Sequence, residues 1–96
     1  MKAKLEQLVK DWHEEGRAEF EAQYKNLDYD SESYLKTVIE KVKYYYLNDG
    51  NSGAFIIEKL TGDVFCIKGY GVPNKKKYCG NVNGITGEVL NRLRRW

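Results

Sequence analysis

The sequence predicts an α+β domain with two N-terminal helices, a three-stranded antiparallel meander and a short C-terminal helix, in one unit spanning 1–96. Three observations predict it. Apolar residues in the first half recur at helical spacing. From residue 54 they come instead in β-branched and aromatic runs of strand length. Near residue 86 a capping pattern opens a last helix. A chain of 96 residues has room for one core, and its 42% hydrophobic and 14% aromatic content excludes a disordered chain.

Residues 3–27 carry the first helical stripe. Leu5, Leu8, Val9 and Trp12 follow the i, i+3, i+4, i+7 rule, and Gly16, Phe20, Tyr24 and Leu27 continue it. Gly16 falls on the buried side, where a missing side chain admits close approach of another element or a kink. At about 100° per residue, Asp11, Glu14, Glu15 and Glu21 fall opposite the stripe, with Lys4 and Lys25 interrupting the acidic face near its ends.

Polar residues from Asn26 to Ser31 break the pattern, and Asp30 or Ser31 is a natural N-cap for a second helix over 32–47. Its core face is Leu35, Val38, Ile39, Val42 and Tyr46. The triple Tyr44, Tyr45 and Tyr46 covers about 200° of arc, so at least one ring leaves the seam, as a snorkelling edge residue or as a contact surface. Asn48 to Gly53 is a helix stop.

Strands follow over 54–59 and 64–68, joined by a short hairpin with Gly62 at positive φ. Both runs are apolar at consecutive positions, which implies cover on both sheet faces: helices on one, a partner or the C-terminal segment on the other. A third strand is expected over 77–82, with Lys75, Lys76 and Lys77 on a loop or an exposed edge. Thr86 then N-caps a helix over 87–95, with Ile85 and Leu90 as a hydrophobic staple and Trp96 packing back.

Charge is divided along the chain. Residues 1–40 hold ten acidic against six basic side chains, and residues 41–96 hold four acidic against ten basic. The basic C-terminal third suits backbone phosphate or an acidic surface, although a pI near 8.5 is low for a dedicated nucleic-acid domain. Gly69 to Lys77 lacks the P-loop and dinucleotide spacings, and reads better as a strand bend that re-aims Tyr70 than as a phosphate cradle.

His13 is the single histidine and has no metal-ligand spacing around it, so its expected role is structural. No catalytic, metal or cofactor motif stands out, and the expected activity is binding rather than catalysis. Cys66 and Cys79 are 13 positions apart, which suggests a reducing compartment and leaves open a disulfide between neighbouring strands. No apolar run spans a bilayer and the charged start is no signal peptide, so the expected location is the cytoplasm, without membrane attachment.

The block from Gly53 through Ile57, Thr61-Gly62, Lys68-Gly69-Tyr70-Gly71 and Pro73-Asn74-Lys75 resembles small proteins encoded by bacteriophages. That resemblance covers about residues 53–80 and implies a phage accessory protein, such as an anti-CRISPR-like inhibitor of host defence acting in the host cytoplasm. The order of helix and curved sheet is also similar to the nuclear-transport-factor-2-like cone fold, which implies a small-molecule pocket. The leading expectation is an inhibitor that binds a host defence protein or an RNA-guided nuclease complex. Direct nucleic-acid binding and a cone-fold pocket are the rivals, and a homodimer stays open. The preferred contact residues are Tyr70, Lys75, Lys76, Lys77, Arg92, Arg94 and Arg95. The alternative is the acidic face of Asp11, Glu14, Glu15 and Glu21.

Overall fold

The computed structural model describes residues 2–69 and 72–94, the side chain of Arg94 excepted. The first stripe forms α1 (Lys2–Gln23), which runs through Gly16 and ends before Tyr24 and Leu27, both left well exposed. Leu5, Leu8, Val9 and Trp12 are its buried apolar side chains. The glycine at position 16 does admit a neighbour: a Cβ there would stand 2.6 Å from the Tyr29 hydroxyl.

The expected second helix is absent, and the expected three-stranded meander is a five-stranded sheet. Residues 32–47 instead build β1 (Lys36–Glu40) and the start of β2 (Tyr44–Asp49), paired antiparallel. Thr37, Val38, Ile39 and Val42 are β-branched and three tyrosines follow, a composition that loses rotamer freedom in a helix and fits a pleated surface. Three consecutive rings crowd a helix seam, but across a strand they alternate: Tyr45 is buried in the core while Tyr44 and Tyr46 point the other way. The proposed N-cap residues serve other ends. The Ser31 carbonyl accepts the Tyr34 and Leu35 amides in a turn, and the Asp30 side chain reaches back to α1. The polar segment expected to stop a helix turns the chain into β3 (Ser52–Glu58), with Gly50 at φ 60°.

β4 (Asp63–Gly69) and β5 (Val72–Asn81) complete the antiparallel sheet, whose strand order is β1-β2-β3-β4-β5. Gly62 sits at φ 79° in the β3–β4 turn, as its position in the hairpin requires. Lys75, Lys76 and Lys77 belong to edge strand β5 itself, where lysines discourage pairing with another chain. The chain ends in α2 (Gly87–Arg94), capped by Thr86 Oγ1, which accepts the Val89 amide at 3.3 Å. Tyr70, Arg95 and Trp96 lie outside the described residues.

One core joins α1 and α2 to one face of the sheet. Leu5, Leu8, Val9, Trp12 and Leu90 pack there with Tyr45, Leu47, Phe55, Ile57, Val64 and Val82. Trp12 meets Phe55 edge to face, ring centroids 5.4 Å apart. Among the described residues, both helices contribute to this face. No described helix is long and apolar enough to cross a membrane.

Candidate functional site: the open face of the sheet

Residues directly opposite each other in a ladder share a face. The register aligns Ile39, Tyr46, Ile56, Phe65 and Tyr78 in one row across all five strands. The rows on either side carry Leu47 and Phe55, and Tyr45, Ile57 and Val64, all of them in the core. The Ile39–Tyr78 row therefore faces away from the helices. Ile56 (1% exposed) and Phe65 (8%) are buried, yet neither belongs to the core cluster. They stand opposite each other and form a second, smaller apolar patch on the open face.

Polar groups bound this patch at one end. Tyr44 stands opposite Glu58 in the next pair on the same face. Lys75 Nζ donates to Glu58 Oε2 at 2.6 Å and lies 4.5 Å from the centre of the Phe65 ring, so its stem and ammonium cap that ring. Donating this hydrogen bond to Glu58 raises the pKa of the Lys75 ammonium above its ordinary value. At the outer end of the row, Tyr78 is 58% exposed and meets Phe65 edge to face at 5.8 Å.

The β1–β2 and β3–β4 turns end on the same side of the sheet. Val42 and Leu60, one on each turn, are both 92% exposed. Between them Lys43, Tyr44, Glu58 and Lys59 complete an open cleft of about 640 Å³. Lys59 turns towards the helix side, where it binds Glu40 Oε2 at 2.8 Å and holds the Glu40 carboxyl below its usual range.

The basic residues expected to form a contact surface are divided. Lys75 belongs to the open face. Lys77 lines a depression on the helix side together with Leu93, which brings the lysine run close to the end of α2. Arg92 pairs with Glu88 at 3.2 Å and lies beside Glu15 and Glu19 of α1, away from the lysines. The alternative acidic residues are in part paired. Asp11, Glu14 and Glu15 gather with Glu88 around the start of α2, and Arg17 bonds both Glu14 and Glu21.

His13 is buried and stacked on Tyr29, ring centroids 4.0 Å apart and 4° from parallel. Its Nε2 lies 2.9 Å from Asp30 Oδ1. Arg17 hydrogen-bonds the same carboxylate, and with His13 it draws Asp30 down to about 2. The ionised carboxylate accepts, so His13 Nε2 carries the proton, and the buried Nδ1 has no partner among the described residues. Tyr29 donates to the His13 carbonyl at 2.8 Å and accepts from Lys36, which tethers the loop before β1 to α1. Among the described residues no group of three His, Cys, Asp or Glu side chains is placed to hold a metal ion.

The open row is the feature that sequence reasoning missed, because two of its five members lie in the hairpin read as a helix. The signal present was the β-branched run before the three tyrosines. No family model, curated protein or solved structure matches the chain.

Proposed function

We propose that this protein acts by binding a macromolecular partner on the open face of its sheet rather than by catalysis, and that the partner is a protein of a host defence system, such as an RNA-guided nuclease complex, which it inhibits. The observation that carries the reading is the Ile39–Tyr46–Ile56–Phe65–Tyr78 row, an apolar strip crossing five strands on the side away from both helices. Aliphatic and aromatic side chains alternating along a strip with a polar margin are the anatomy of a protein interface.

A nucleic acid would ask for something different: unpaired cations along a backbone track and ring faces free to stack. Here Lys75 is neutralised by Glu58, and the same ammonium covers the Phe65 ring. The narrower part of the proposal, a defence protein as target, is supported by the resemblance of residues 53–80 to phage-encoded proteins.

The test is cleavage by purified RNA-guided nuclease complexes, with and without the protein, at about 150 mM salt. Inhibition by the wild type and its loss in Tyr78→Asp and Ile39→Asp is the expected result. Cleavage unaffected at saturating protein, together with a shift of single-stranded oligonucleotide that Lys75/Lys76/Lys77→Ala abolishes, would replace this reading by direct nucleic-acid binding.

A further inference from the structure

We propose that Cys66 and Cys79 form a redox-active dithiol that closes into an intramolecular disulfide by exchange with small-molecule disulfides. The two free thiols belong to adjacent strands, and their sulfurs are 3.1 Å apart.

This proximity is built into the sheet. Val64 pairs with Gly80, but Phe65 pairs with Tyr78, so Cys79 is the extra residue of a β-bulge. The neighbouring Gly80, at φ 137°, supplies the irregular backbone. Tyr78 points to the open face with its partner Phe65. The bulge swings Cys79 to the helix side, where Cys66 already lies in the row of Leu47 and Phe55. Both cysteines pack against the core margin beside Leu93.

Access to the pair runs through Cys66. Both residues are half-buried, and Cys66 lines the depression shared by Asn74, Lys77 and Leu93. Burial, with the contact to Cys66, pushes the Cys79 thiol up to about 12. Cys66, which lines the depression, is the sulfur that a small disulfide meets first.

The Cys66 thiolate attacks one sulfur of the small disulfide. A mixed disulfide forms and one thiolate leaves. Cys79 then gives its proton to solvent and attacks Cys66 Sγ, releasing the second small thiolate. Two protein thiols are oxidised, and one disulfide is reduced to two thiols. The closed bond would staple edge strand β5 to β4 next to Tyr78.

The probe is oxidised glutathione, added to the purified full chain. The expected product has no titratable thiol, is monomeric on a non-reducing gel and is lighter by two hydrogen atoms. Its thermal midpoint rises on the order of 10 °C, reversibly with dithiothreitol. Cys79→Ser should stop at a stable glutathione adduct, and Cys66→Ser should form its adduct more slowly. Wild-type chain that keeps both thiols, accumulates the adduct or links into dimers would overturn the proposal. The measurement uses the protein alone, so its result is independent of the partner proposed above.

Discussion

Phe65 and Tyr78 stand opposite each other on β4 and β5, edge to face, on the side of the sheet turned away from both helices. One ring is buried and the other is mostly exposed. The exposed member can therefore be changed without disturbing the fold. Tyr78→Asp should cost about 0.5–1.5 kcal/mol, the usual worth of an edge-to-face aromatic pair. It should also weaken partner binding at least tenfold, as the loss of an aromatic anchor does. Urea denaturation and a binding titration on the same preparation separate the two effects. A variant that binds like the wild type would remove Tyr78 from the contact surface.

The two faces of β3 can be compared through neighbouring isoleucines. Ile57 is fully buried in the core, while Ile56 is as well buried but lies in the smaller patch across the sheet. Truncating a core isoleucine costs about 2–5 kcal/mol, more where the cavity cannot collapse. Ile57→Ala is expected near the top of that range and Ile56→Ala near the bottom, because a single layer of side chains can settle into the space. Equal losses in denaturant unfolding would mean that both faces are packed alike.

How much of this was legible in the sequence depended on whether period and composition agreed. For α1 they did, and Leu5 to Trp12 are the core residues their spacing suggests. Thr86, Ile85 and Leu90 announced α2 by cap and staple, both local devices. The β-branched runs around Phe55 and Phe65 likewise fall in β3 and β4.

Residues 32–47 failed because Leu35, Val38, Ile39 and Val42 satisfy a helical spacing by accident in a short window, while their branching favours a strand. The turn joining β1 to β2 is Lys41-Val42-Lys43, with no glycine, proline or asparagine to mark it. Pairing with β3, which lies outside that window, settles the matter. The open row was hidden for the same reason, although consecutive apolar residues in β3 and β4 did point to a second face in need of cover.

Gly87 offers a test of how the helices are seated. A Cβ at this position would collide with the α1 backbone at Trp12 N and the Asp11 carbonyl carbon, which cannot yield as a flexible side chain would. Replacing a helical glycine by alanine ordinarily stabilises by up to about 1 kcal/mol. Gly87→Ala should do the reverse and destabilise by about 1–3 kcal/mol, through overpacking between α1 and α2. Gly84→Ala is the control, since among the described residues nothing lies within 4 Å of its added methyl group. A stabilised Gly87→Ala would mean that α2 is not pressed against α1 at this point.

Acid should loosen the junction between α1 and the loop before β1. Asp30 is drawn from its usual 3.8 down to about 2, first by Arg17 and then by His13. A carboxyl depressed in the folded state contributes stability that is complete above its unfolded value and is lost as pH falls through its folded one. The window is therefore about pH 4 to 2. Glu14, also lowered by Arg17, adds to the same slope. Asp30→Asn should lower the thermal midpoint at neutral pH and flatten its decline in that window. Arg17→Met, which releases Asp30 and Glu14 together with Glu21, should flatten it further. The groups are solvent-exposed, so about 1 M salt should shrink all three differences. Midpoints measured from pH 2 to 6 decide the matter: parallel curves for the wild type and both variants would mean that the Arg17 cluster contributes nothing to folding.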